Sequence, residues 1–338
     1  MTIYDHLTRW FCKTYGIERN TEYTIEYINP QDLLSPDRLD IVVKYKYVQA
    51  YLENRDMTYI KKVYKAHIEA FSQGTYVEPG QEKKKKNIHD YYKEFDNLIE
   101  SMKEHGFDEE KSVVPINENN VICNGSHRVA IALYMGYQVP CIRVKGINNI
   151  ANYSYFDNRL MPECYIDYLA LEYCTIKKNI YAVLIWPRGN KILSEKNIKQ
   201  KKVYEELATV GMIVLKKDLR FSYKELDDLV KKVYCHAPWL GEEKLGFPGS
   251  KGKTDAIYDK CGHLSIVLLE ADSLQDIIDV KKRIRKYLKI ENHSIHITDS
   301  YKETAQLIKF VFKKYNYVNC SEIRKFMLRV KRNILLKL

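Results

Sequence analysis

The chain has 338 residues, 45% hydrophobic and 29% charged, with a formal net charge of +11. That composition fits a soluble globular protein with real cores, and at roughly 100–200 residues per domain the length points to two domains. No apolar run reaches the ~20 residues of a membrane span, and the basic balance favours anionic partners such as nucleotides, nucleic acid, phosphorylated glycans or an acidic membrane face.

The eight cysteines are scattered at 12, 123, 141, 164, 174, 235, 261 and 320. None forms a CxxC pair, which argues against a zinc site. The opening "TIYDHLTRWF" is polar and aromatic rather than secretory. The expectation is a cytoplasmic protein with free thiols.

Residues 1–38 read as a helical lead-in ending in the Pro-punctuated loop "INPQDLLSPD". "LDIVVKYKYV", Leu39 to Val48, reads as a strand, and Thr58 to Phe71 has helical spacing. Gly74, Pro79 and Gly80 mark a loop, followed by the lysines Lys83 to Lys86. That run is a solvated surface or a phosphate contact. In "DYYKEFDNLIESMKEHG", Phe95, Leu98, Ile99 and Met102 recur at i, i+3, i+4 and i+7, and Gly106 stands at the stop. "SVVPI" and "NNVICN" read as short strands, Val129 to Tyr134 as a helix and "VPCIRV" as a strand.

Residues 149–178 read as a partly helical connector. In 179–318, "IYAVLIWP", "MIVLKKDLRFS", "HLSIVLLEA" and "HSIHIT" read as strands. "KVYEELATVG", "YKELDDLVKKVY", "SLQDIIDVKKRIRKYL" and "YKETAQLIKFVFKKY" read as the helices between and after them. Four strands with two pairs of helices predict a compact α+β sandwich. The tail, 319–338, places Ile323, Phe326, Met327, Val330, Ile334 and Leu338 near one face, with six basic residues mostly elsewhere. Such a basic amphipathic helix lies on an anionic membrane or packs on its own domain.

Two stretches carry chemistry. The first is "VICNGSHRV", where an apolar strand breaks into a polar elbow before a helix. Gly125 permits a tight turn and close ligand approach. The free amides of the helix start attract anions, and Arg128 offers two parallel hydrogen bonds to a phosphate. Ser126 and His127 are placed to contact the same ligand. The plainer account is an N-cap at Asn124 or Ser126 with a solvated Arg128.

The order "FDNLIESMKEHGF", "VVPI", "VICNGSHRVAIALYMGYQVPCIRV" resembles the ParB/sulfiredoxin superfamily over about residues 39–148. The resemblance implies nucleotide phosphates bound at Asn124, Gly125, Ser126, His127 and Arg128. Sulfiredoxins carry a reactive cysteine at the position of Ser126, so reductase chemistry is not implied. The free-serine kinases of the superfamily have an acidic residue at the position of Asn124. Glu78 and Glu82, in the preceding loop, are the candidates to replace it as general base. The DNA-partitioning members continue into a helix-turn-helix, which is absent from the second half here.

The second stretch is "NHSIHITDS". On a regular strand, His293 and His296 point to opposite faces, which argues against a metal pair. A histidine followed by Thr298, Asp299 and Ser300 at a strand-to-helix turn can act as a nucleophile beside helix-start amides; a structural histidine is the plainer account. "YAVLIWPRG", "ELATVGMIVLKKDLRFS", "GHLSIVLLEADS" and "IHITDSYKETAQLIKFVF" are similar to strings of the nucleoside diphosphate kinases, which are ferredoxin-like in fold. The resemblance implies that His296 is transiently phosphorylated, with Asp299 and Ser300 matching. The family's phosphate-holding arginine falls at Arg283 or Arg285, and spacing does not choose between them. Trp186 stands where the family has a lysine, Ile297 where it has a glycine, and Leu307, beside Gln306, where its orienting glutamate is expected.

The combined expectation is an α/β and α+β protein. A ParB/sulfiredoxin-like domain (39–148) precedes a ferredoxin-like, nucleoside diphosphate kinase-like domain (179–318). The implied activity is a nucleotide-dependent phosphotransferase using ATP or CTP with Mg2+. Its acceptor is a small hydroxyl metabolite or a sugar of a surface glycan, as in polysaccharide biosynthesis. The alternative is a nucleotide-switched module that binds DNA or a partner without phosphotransfer, with DNA the weaker partner because the charge is spread rather than striped. Contact with the inner face of a membrane through the tail, and oligomerisation, are left open.

Overall fold

The computed structural model describes residues 2–77, 85–195 and 200–313. It is a mixed α/β protein with two sheets, and the chain divides into two compact units between Leu169 and Ala170. No described helix is long and apolar enough to cross a membrane. The basic tail, Glu78 and Glu82 lie outside the described residues.

The first unit opens with α1 (Ile3–His6), α2 (Arg9–Thr14) and β1 (Ile25–Ile28). It continues with α3 (Asp40–Leu52), α4 (Thr58–Ser72), α5 (Ile88–His105), β2 (Val114–Ile116), α6 (Ser126–Met135) and β3 (Val139–Arg143). Then come α7 (Tyr153–Asn158) and α8 (Glu163–Ile176), the second of which runs across the division. The sheet order is β1-β3-β2, with β3 antiparallel to β1 and parallel to β2.

Three local expectations change. The lead-in is not wholly helical, because Ile25–Ile28 pairs with Val139–Ile142 as an edge strand. Its helices enter a core, in which Ile3, Leu7, Phe11 and Cys12 join Val113, Cys123, Ile142 and Val144. The stretch Leu39 to Val48 is helix, not strand. Ile41, Val42 and Val43 imitate a strand by their β-branching, yet α3 is buried on most of its surface, which removes the polar face that would show a helical period. The decisive pair is Asp40 and Lys44. They meet at 2.9 Å inside the protein, and i,i+4 residues are neighbours only on a helix. The expected strand "NNVICN" reduces to one bridge, Ile116 to Ile122, around a turn with Asn120 at φ 59°.

The second unit holds β4 (Ile180–Ile185), α9 (Pro187–Glu195), α10 (Gln200–Ala208), β5 (Met212–Arg220) and α11 (Tyr223–Val233). After these come α12 (Ser250–Ile257), β6 (His263–Glu270), α13 (Leu274–Leu288), β7 (Ile295–Ile297) and α14 (Tyr301–Lys313). All four expected strands and their intervening helices form. The helices α9 and α12 are additions, because Pro and Gly at their starts read as loop. The strands run antiparallel in the order β5-β6-β4-β7. The central strands β4 and β6 are apolar on both faces. Val183, Ile185, Val267 and Leu269 join one core with Val203, Leu207, Ile277, Val280 and Ile284. The side chains between them turn to the other face, on which α14 packs against β4.

Among the described residues six cysteines are free, whereas Cys164 on α8 is disulfide-bonded, which departs from the all-thiol expectation.

Candidate active site

β7 is an edge strand of only three residues. Ile295 and Ile297 point into the core, so a period of 2 turns His296 to the opposite face, opposite Leu184 of β4. The free edge leaves the outward carbonyls of β7 without a sheet partner. Lys281 donates to the Ile297 carbonyl at 2.9 Å and Arg285 to the Ile295 carbonyl at 3.2 Å. The same contacts that close the edge set two cations beside the histidine.

His296 is 6% exposed and lies at the wall of a cavity of about 830 Å³. That volume lies within the roughly 300–1,000 Å³ of small-molecule sites. Tyr234 meets its ring edge-on at 5.2 Å between centroids, and the buried Trp186 lies at 6.4 Å. Nε2 lies 2.9 Å from Oε1 of Glu303. A carboxylate only accepts, so Nε2 carries the proton and Nδ1 keeps its lone pair. Among the described residues Nδ1 has no hydrogen-bond partner.

Glu303 is itself fixed. Its Oε2 accepts the Asp299 amide at 2.8 Å, and its own amide donates to Ser300 Oγ at 3.2 Å. Burial lowers the His296 pKa from its ordinary value, and the Glu303 carboxylate offsets this only in part, so the imidazole is neutral at neutral pH. Burial raises Glu303, but the bonds from His296 and the Asp299 amide outweigh it and leave the carboxyl below its usual range.

The other expected residues divide. Arg285 lines the cavity, as do Asp299 and Ser300. Arg283 does not: it is exposed and bound to Glu206 at 3.0 Å and Thr209 at 3.2 Å. Thr298 is fully buried, where its hydroxyl accepts the Ala182 amide at 2.9 Å and meets Thr304 at 2.7 Å. Asp299 is exposed and lies 3.4 Å from Lys281. His293 sits not on the strand but on a 3-10 turn, Glu291–His293, and lines the same cavity as His296.

The orienting carboxylate is Glu303, seven residues after the histidine, and not a group at Leu307, whose side chain is buried. The signal was present as Ser300-x-x-Glu303, a spacing that reads as a capping box. Lys253, which also lines the cavity, carried no signal, because it arrives from a segment far away in the chain.

In the first unit, Gly125 adopts φ +85° and α6 begins at Ser126, as the elbow requires. Beyond that, the side chains turn inward. Ser126 is buried and accepts a hydrogen bond from Lys44. Lys44 and Arg38 both bind Asp40, Arg38 by two parallel bonds of 2.8 Å. Burial raises the Asp40 carboxyl, but Arg38 and Lys44 hold it well below its ordinary value.

His127 bonds Tyr64 at 2.8 Å and stands edge-on to Phe95 at 4.6 Å. Burial and the Lys44 charge keep it neutral. Arg128 folds back over Gly125, where a Cβ would lie 2.9 Å from its Nη2. Its Nη1 is buried without a hydrogen-bond partner among the described residues, and burial lowers its pKa to about 10. Asn124 alone of this set is exposed, its Oδ1 accepting the Gly125 amide at 2.6 Å. The sequence reading missed Arg38, Asp40, Lys44, Tyr64 and the buried His67. All lie on segments remote from the motif, and taking α3 for a strand hid Asp40 and Lys44.

No family model matches the chain, and no curated protein matches it. Among solved structures, the nucleoside diphosphate kinase of Aquifex aeolicus is similar at 15% sequence identity with a TM-score of 0.29. The match covers 40% of this chain and 96% of that one.

Proposed function

We propose that the protein is a nucleotide-dependent phosphotransferase whose His296 carries the phosphoryl group. The observation that carries this reading is the His296–Glu303 pair at the cavity. Glu303 fixes the tautomer, burial keeps the ring neutral, Nδ1 is left with its lone pair, and the cavity the ring lines carries cationic side chains. In the first half-reaction Nδ1 attacks the terminal phosphorus of a nucleoside triphosphate. The P–N bond forms as the P–O bond to the diphosphate breaks, and the leaving oxygen takes the electron pair. Nε2–H stays hydrogen-bonded to Glu303, which stabilises the positive charge the ring acquires.

In the second half-reaction an acceptor hydroxyl attacks the same phosphorus. The P–N bond breaks, its electron pair returns to Nδ1, and the hydroxyl proton leaves to solvent. The acceptor class is a small hydroxyl metabolite or a sugar of a surface glycan. Positioned charge is the main requirement of phosphoryl transfer, and Lys253, Lys281 and Arg285 supply it.

No group of three or more His, Cys, Asp or Glu that would hold a metal ion occurs among the described residues. Magnesium would therefore come with the nucleotide phosphates, with Asp299 the carboxylate at the cavity able to assist. The first unit, read as ParB/sulfiredoxin-like, would hold nucleotide phosphate at the helix-start amides from Ser126 onward, since the Gly125 amide is held by Asn124.

The test is incubation with gamma-labelled ATP, and separately with labelled CTP, of the full chain and of His296→Ala and Arg128→Ala. The expected result is an acid-labile label on the wild type that His296→Ala abolishes. Absence of both label and nucleotide hydrolysis in the wild type would overturn the reading.

A further inference from the structure

Five cations line the His296 cavity, Lys232, Lys253, Lys281, Arg285 and Lys302, and they are not equivalent. Lys281 and Arg285 come from α13 and are tied to the edge of β7. Lys253 comes from α12, in the segment between α11 and β6. Its Nζ donates to the Asn292 carbonyl at 2.6 Å and lies 3.5 Å from His293 Nδ1. It also stands 5.5 Å from the centre of the Tyr234 ring, the ring that meets His296.

An ammonium has three N–H donors. Asn292 takes one and His293 can take a second, which leaves a third for the cavity. Among the described residues no carboxylate pairs with Lys253. The titratable groups around it are Arg285 of α13, His293 of the turn and Tyr234 at the end of α11. Asp299 and Glu303 of the cavity are engaged by Lys281 and His296. Gly252, beside it, is exposed, and a Cβ there would meet nothing within 4 Å. A half-buried ammonium without a counter-ion is costly, and an anion entering the cavity offsets that cost.

We infer that Lys253 is the phosphate-holding residue of the His296 cavity, gripping the phosphoryl-bearing end of the nucleotide beside the Tyr234 ring. This rests on the phosphohistidine reading for its meaning, but not for its test. Burial, aided by Arg285, lowers the Lys253 pKa to about 8, so its grip weakens as pH rises through that value.

The experiment measures binding of ADP and of adenosine to the full chain by calorimetry, for the wild type, Lys253→Gln, Lys253→Ala and Lys253→Arg. Gln keeps a donor for Asn292 without the charge, and melting temperatures confirm that each variant is folded. Both neutral variants are expected to weaken ADP by about tenfold or more, the size of one charge-assisted hydrogen bond, and to leave adenosine unchanged. Between pH 7 and 9 ADP affinity falls in the wild type and stays level in Lys253→Arg. ADP binding within twofold of wild type in Lys253→Gln would overturn the assignment, as would a wild type that binds ADP no better than adenosine. His296 labelling is scored separately. If labelling fails in every variant while the ADP effect stands, the phosphohistidine reading falls and the role of Lys253 remains.

Discussion

Both units place a histidine and nearby cations where the chain turns into a helix, α6 or α14, yet the polar side chains of the two elbows face opposite ways. At His296, whose ring lines a cavity, one nitrogen is held by Glu303 and the other has no hydrogen-bond partner among the described residues. At Gly125–Arg128, Ser126 bonds Lys44 and His127 bonds Tyr64, while Arg128 folds back over its own elbow. The same motif grammar therefore leaves a histidine at a cavity in one unit and builds a buried charge network in the other. What separates them is the partner behind the elbow. In the second unit the partner is a carboxylate on the same turn. In the first it is a lysine on α3, itself tied to Asp40.

The comparison breaks most visibly at Asp40. Replacing it by Ala leaves Arg38 and Lys44 buried without their counter-ion, which costs about 3–5 kcal/mol. Urea unfolding followed by hydrogen exchange is expected to show the loss in α3 and α6, with the second unit's sheet protected as in the wild type. Equal loss in both units, or none, would show that the network does not hold the first unit together. The pH sign follows from the lowered pKa. Asp40 contributes its stability above the unfolded carboxylate pKa of roughly 3.9 and loses it as pH falls through the folded value. Asp40→Asn is expected to remove that part of the acid dependence.

The next largest effect is expected at Glu303. Glu303→Gln keeps the shape but can present an N–H where the imidazole needs an acceptor. The histidine then loses the fixed tautomer and the charge that stabilises phosphoryl transfer. Labelling of His296 is expected to slow by about 10²–10³-fold, the size of losing one positioned electrostatic partner. ADP binding is expected to change little, because Glu303 does not face the phosphates in this reading. A labelling rate within threefold of wild type would reduce Glu303 to a helix cap.

The sequence showed more of the second unit than of the first, for a physical reason. β4, β6, α11 and α13 declare themselves by continuous apolar runs or a clean amphipathic face, and His296 stands in a short alternating strand. Glu303 was readable only as a cap, because its second bond, to a side chain on the preceding strand, has no local signature. α3 was misread because a helix buried on most sides shows no polar stripe. With α3 taken for a strand, Asp40 and Lys44 pointed to one face of a sheet instead of meeting at i,i+4. Gly125 was legible from its place in the chain, but the direction of Arg128 was not. A guanidinium after a turning glycine reaches outward to a ligand or inward to the core with equal ease, and only packing decides.

That last ambiguity gives the smallest and sharpest test. At φ +85° an alanine at position 125 pays about 1–2 kcal/mol for the left-handed backbone. Its Cβ would also lie 2.9 Å from Arg128 Nη2 and 3.2 Å from Val114 Cγ2. The guanidinium is the movable neighbour. If Arg128 truly folds inward, Gly125→Ala should cost less in an Arg128→Ala background, where that contact is gone. A double-mutant cycle read by urea unfolding is expected to give a coupling of about 0.5–1 kcal/mol. An additive cycle would mean that Arg128 points away from the elbow, and the phosphate-gripping role would again be open to it.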